Sequence, residues 1–317
     1  MIQKRMQKRI WSRAALLLCA VAMLLLPGCW ADLAIGANGV LTAETYPGAE
    51  KYQVGPVTYR AEAVKAIEVY WRSGEVEITE SDDAELSCEE SGSTLPEDAA
   101  MHYLLEDGVL RIRFCASGAT LRVNAAEKHL RLAVPQGIDL SVRATSAAVK
   151  AGDLNQNSVL IAAFSGDTEL GAVTAARVDL SSSSGSIQAR SVSAKSLACA
   201  ASSGAVAIEA AAVQGLDCNT SSGSITVGSM SAETAQIATR SGSVHLTLAE
   251  VPSAEIQTSS GKVDLTLAPG GAEVLHTAAS GRLITDRAYE RRGDLYIFGG
   301  GESKLTVETS SGNLKIQ

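Results

Sequence analysis

The sequence predicts an all-β fold: a parallel β-helix (β-solenoid) of about nine 19-residue coils, preceded by an irregular, β-rich N-terminal capping region. Ser-Gly pairs place glycines at 166, 185, 204, 223, 242 and 261, 19 residues apart each time; Gly281 and Gly312 follow, and Thr145-Ser146-Ala147 is a degenerate first copy. Aligned on that glycine, the residues seven before (Leu140, Val159, Val178, Leu197, Leu216, Ala235, Ala254, Val274, Leu305) are apolar. So, with few exceptions, are those five before and two after, while the intervening positions are polar. Aromatics make up only 4% of the 317 residues, so the core must be thin and filled by small and branched aliphatic side chains.

The chain opens on Lys4, Arg5, Lys8, Arg9 and Arg13 with no acidic residue among them, followed by an apolar run from Ala14 to Leu26. That is the layout of a secretory signal, and the run is too short for a bilayer core that needs about 20 residues. It ends in Leu26-Pro27-Gly28-Cys29, which resembles a bacterial lipobox; the resemblance implies cleavage after residue 28 and lipidation of Cys29. Pro27 departs from the small or β-branched residue usual at that place. The expected localisation is the extracytoplasmic face of the membrane, with the lipid as the membrane contact. Losing residues 1–28 removes five of 27 basic residues and no acidic one, leaving 22 against 35 acidic, a net charge of −13. Nucleic acid is thereby disfavoured as a partner.

Residues 29–59 lack clear periodicity and read as a tether and leader. Residues 60–139 form the capping region: Ile67, Val69 and Trp71 alternate with polar residues, Arg72-Ser73-Gly74 turns, and Val76 and Ile78 alternate again. Leu104 to Phe114 and Leu130 to Val134 read likewise, with an acidic loop from Glu89 to Ala100.

Residues 140–317 are the repeat domain. Each copy holds two short period-two strands joined by the Ser-Gly corner, and neither can bury its inner face alone. In-register stacking at about 4.8 Å per coil makes nine copies a rod of roughly 40 Å. Glycine suits the corner because it takes positive φ, and the preceding serines can form a hydrogen-bonded ladder. Stacking places Lys150 beside Glu169 and Arg190 beside Glu209. The 31-residue final interval carries an excess around Tyr289 to Gly301, where Arg291, Arg292, Tyr296 and Phe298 are the candidate binding loop. A cap over the last open coil is the plainer reading of that excursion.

Of the six cysteines, Cys88 and Cys115 are a candidate disulfide, since an exported chain permits one. Cys199 and Cys218 share a column on adjacent coils, where parallel side chains point alike and a bridge would be strained. No two-residue cysteine spacing suggests zinc, so neither a metal nor a cofactor is expected.

The run Trp71-Arg72-Ser73-Gly74-Glu75-Val76-Glu77-Ile78, then Glu89-Glu90-Ser91 and the recurring Ser-Gly-Ser-Ile or Ser-Gly-Ser-Val units, resembles the bacterial putative-adhesin family of β-strand-repeat proteins (DUF4097-like). The resemblance spans about residues 55–317 and implies a parallel β-helical envelope protein; it carries no catalytic residues.

The expected function is a non-catalytic cell-surface lipoprotein with a binding or scaffold role toward a glycan, wall polymer or envelope protein. One alternative is an envelope-stress regulator contacting a membrane signalling partner, and another is a polysaccharide-active β-helix enzyme. The best acid/base pair for the latter is His245 beside Asp264, with Thr226 and Ile284 in the same column and no Arg or Lys completing a set. Asp179 and Asp217 share another column but are separated by Ala198.

Overall fold

The computed structural model describes residues 40–317 apart from 83, 92–94 and 123–127. The signal segment, Cys29 and the first part of the leader lie outside the described residues. Strands dominate, and the pairing through the repeat is parallel and in register: Leu140 on Val159, Val178 on Leu197, Leu216 on Ala235. The columns seven and five residues before the glycine are buried throughout, and the column two after it is buried except at Leu283. Each fully buried Val, Ile or Leu contributes about 1.5–3 kcal/mol, so the stack is held by many equal layers.

The coils through the middle of the rod have three ladders instead of the two short strands expected. Thr168–Ser182, Ile187–Ala201, Val206–Thr220 and Ile225–Thr239 each run fifteen residues. Pairing lapses only at single bend positions such as Arg190 and Lys195. The third ladder carries its own inward column, Leu154, Val173, Val192, Ala211 and Met230, and after a bulge Leu248. Its Ser- and Ala-rich sequence hides the alternation, because alanine serves on both faces.

The corner glycines line up in one file, for a reason other than the expected one. None of the glycines at 166, 185, 204, 223, 242, 261, 281 and 312 has positive φ. Instead, a Cβ at each would come closer than 3.0 Å to the carbonyl oxygen of the corner beneath: Gly185 meets Gly166, Gly204 meets Gly185, Gly223 meets Gly204. Glycine is required here by the close approach of stacked backbones. The serines likewise bond through the main chain, as in Ser203 N to Ser183 O and Ser222 N to Ser202 O, both 2.9 Å. The hydroxyl ladder lies one step earlier, where buried Thr220 donates to Thr239 Oγ1 at 2.9 Å and Thr258 Oγ1 accepts from Gly261 N at 2.9 Å. The expected charge pairs also choose other partners: Lys150 binds Glu75 at 2.6 Å and Arg190 binds Asp153.

Both ends of the stack are interleaved. At the C-terminal end, Ser253–Thr258 pairs with Ser303–Thr309, which pairs with Gly271–Ala278. In the same way Val263–Thr266 pairs with Leu314–Ile316, which pairs with Leu283–Thr285. The spatial order of corners is therefore Gly261, Gly312, Gly281, and the last lap of the chain fills a slot between two earlier ones. At the other end, Ala66–Trp71 and Glu75–Glu80 are inserted between an outer coil, Val109–Arg113 with His129–Val134, and the coil of Asp139–Ala144 and Ala148–Ala151. Parallel pairing thus crosses residues 139 and 140, and two layers within 60–139 extend the rod to about 50 Å. Antiparallel strands close this end, with His102–Glu106 and Gln53–Val54 beyond one ladder and Glu85–Ser91 and Val57–Arg60 beyond another.

Candidate functional site

The excursion after Gly281 is a hairpin. Leu295–Gly299 pairs antiparallel with Gly271–Ala278 on one side and with Glu290–Arg292 on the other, so it covers the last edge of that ladder. Phe298 is fully buried and Tyr296 nearly so, so that two of the expected loop residues are core and two are surface. Arg291 and Arg292 are exposed. The Arg291 guanidinium stands 5.3 Å from the Tyr296 ring centroid and donates to Gly293 O at 2.9 Å; Arg292 pairs with Glu290 at 2.8 Å. Tyr289, at the start of the excursion, is its exposed aromatic, packed against Tyr296 and Phe298 with centroids 5.5 and 5.6 Å away. Leu275 and Ile284 are also exposed on these terminal coils.

On the flank of the same coils, His245 Nδ1 lies 3.0 Å from Asp264 Oδ2, and Lys262 Nζ lies 2.8 Å from that oxygen. The strands register His245 on Asp264 and Asp264 on Lys315. The expectation that no lysine joins this column fails because the interleaved lap inserts Lys315 where chain order places Ile284. Asp179 is engaged by Arg177 at 2.5 Å, and Asp217, raised by burial, accepts from Asn219.

The capping end holds a buried cation that the sequence did not reveal. Lys128 Nζ lies 2.6 Å from Glu90 Oε1, donates to Ala99 O at 2.8 Å and to Phe114 O, and stands 4.0 Å from the Phe114 ring centroid. Trp71 meets Phe114 edge-on at 5.1 Å. Burial pulls the Lys128 ammonium down to about 7. Part of the expected leader is docked here too: Arg113 stacks 3.7 Å from Tyr70 and 4.9 Å from Tyr46, whose hydroxyl donates to Cys115 O at 3.0 Å.

Cys88 and Cys115 are free, so the expected bridge is not formed; Cys88 is occupied by the Met101 sulfur at 3.4 Å. Cys199 and Cys218, register partners, are free and buried as well. Burial pushes the Cys88 thiol up to about 12 and Cys115 to about 11, which keeps both protonated and unreactive.

The Toastrack DUF4097 family profile matches residues 64–317. No curated protein matches the chain. Among solved structures, a putative adhesin from Parabacteroides merdae is similar at 14% identity and a TM-score of 0.49, over 87% of this chain and 100% of that one. One from Parabacteroides distasonis is 13% identical with a TM-score of 0.42, over 83% and 97%. Another, from Bacteroides fragilis, is 13% identical with a TM-score of 0.35, over 84% and 97%.

Proposed function

From the premise that the chain belongs to the Toastrack DUF4097 family, we propose that it is a non-catalytic cell-surface lipoprotein acting as a binding or scaffold module. Residues 1–28 are its cleaved signal, Cys29 its lipid site and residues 29–59 its leader. The supporting observation is polarity: the leader docks at the capping end, through Tyr46 on Arg113 and Cys115, while the hairpin of Tyr289, Arg291 and Arg292 lies at the opposite end of the stack. A rod held by its capping end presents that tip and its outward ladders away from the membrane. Its partners are then glycans, wall polymers or envelope proteins.

The test is a glycan-array and wall-polymer binding screen with the detergent-solubilised full chain, alongside fractionation of cells carrying Cys29→Ala. Saturable capture of a glycan or polymer, and movement of the variant out of the membrane fraction, are expected. Absence of any saturable ligand sinks the binding role, and a Cys29→Ala chain wholly retained in membranes sinks the anchor.

A further inference from the structure

Position by position around the glycine file, the surface changes charge along the rod. Two before, one after and three after the corner stand Phe164, Asp167 and Glu169 on the Gly166 coil, an acidic set. The next three coils carry only Ser, Ala, Gln and Thr at those places. The last four, in spatial order, bring Arg240 and His245 with Gly242, Lys262 and Asp264 with Gly261, Lys315 with Gly312, and Arg282 with Gly281. Each of four consecutive coils therefore contributes one Lys or Arg to the surface around the corner, Arg240 just before it and the other three just after it. The sequence hides this regularity, because Lys315 lies between Lys262 and Arg282 in space and after both in the chain.

These cations reach the surface. Arg240, Lys262 and Arg282 are exposed and Lys315 is half-buried. Among the described residues, no carboxylate lies within ion-pair distance of Arg240, Arg282 or Lys315; Asp264 takes Lys262 and His245. The adjoining ladder of the same coils is acidic, with Glu255, Glu273 and Glu308 beside Lys304. The chain carries a net charge of −8, and a local run of basic residues on such a molecule selects anions there.

We propose that Arg240, Lys262, Lys315 and Arg282 form a binding strip for a linear anionic polysaccharide, with one cation on each of four successive coils, which rise about 4.8 Å apiece and span about 14 Å along the rod. This deepens the binding-module reading and rests on it. An extended polymer bearing repeated carboxylate, phosphate or sulfate groups meets successive cations as it runs along the rod, with Asn313 and Ser243 as hydrogen-bonding neighbours on the same flank. His245 and Asp264 shape one edge of the strip and do no chemistry.

The test uses the full chain in detergent and its Arg240→Gln/Lys262→Gln/Lys315→Gln/Arg282→Gln variant, with polygalacturonate, dextran sulfate, neutral dextran and duplex DNA as probes. Circular dichroism first checks that the variant is folded, and Lys150→Gln/Arg177→Gln/Arg190→Gln/Lys195→Gln, four exposed cations on distant coils, serves as the charge-matched control. Expected are salt-sensitive binding to the two anionic polysaccharides, none to neutral dextran, and a loss of about ten- to hundredfold in the quadruple variant only. Equal loss in the control, retained affinity in the quadruple variant, or tighter binding to DNA than to either polysaccharide overturns the proposal. If the wild type ignores every anionic probe the strip is refuted, while the glycan and wall-polymer screen still decides the binding role.

Discussion

At the scale of single residues, stacked corners leave no room for even one methyl group. Gly204→Ala drives a Cβ against the Gly185 carbonyl, and the forced separation of coils should cost about 1–3 kcal/mol in urea unfolding. Gly215 has only Thr234 Oγ1 at 3.9 Å, so Gly215→Ala should be neutral or stabilise by up to about 1 kcal/mol. The contrast separates close approach from a general cost of replacing glycine. Lys128 gives a pH signature. Its pKa falls to about 7 in the fold, against about 10.4 for an unfolded lysine, so above pH 7 the unfolded chain holds the extra proton. The cost of burying the cation is full below pH 7 and is relieved as pH rises. Stability of the wild type relative to Lys128→Met should therefore climb between pH 7 and 8.5, and a flat difference in urea midpoints contradicts this. Above that window the buried thiols, with raised pKa values, act in the opposite direction. The glycine file was plain in the sequence as spacing, whereas its cause was not, since sequence alone cannot separate a positive φ from a missing Cβ.

Among the elements, the C-terminal hairpin divides into an anchor and a surface. Phe298→Ala should cost about 3–5 kcal/mol and uncover the edge of Gly271–Ala278, seen as faster hydrogen exchange there and as self-association. Arg291→Ala with Arg292→Ala should change stability by less than about 0.5 kcal/mol each, because both side chains are exposed. Two of the three ladders were legible because Val, Ile and Leu alternate with polar residues in them. The third was illegible because Ala211 is buried while Ala210 and Ala212, beside it, face outward. The hairpin's position was visible as an excess over 19, but which of its aromatics faced inward depended on its pairing with Gly271–Ala278, a strand whose partners the interleaving had changed.

For the molecule as a whole, chain order and spatial order agree through the middle of the rod and part company at both ends. Deleting residues 303–317 should therefore do more than shorten it by one layer. The removed lap lies between the Gly261 and Gly281 coils, so the latter, which carries the hairpin, loses its parallel partner. Hydrogen exchange should show protection lost from residues 271–299 together; loss confined to the cut end contradicts the interleaved order. No periodicity could have announced this, since every copy presents the same columns and can stack on any other. The two closures are idiosyncratic, but the laps from Gly166 to Gly242 are interchangeable. The fold is thus a spacer of adjustable reach: duplicating one 19-residue cassette there would push the tip outward by about 4.8 Å and leave both clasps untouched.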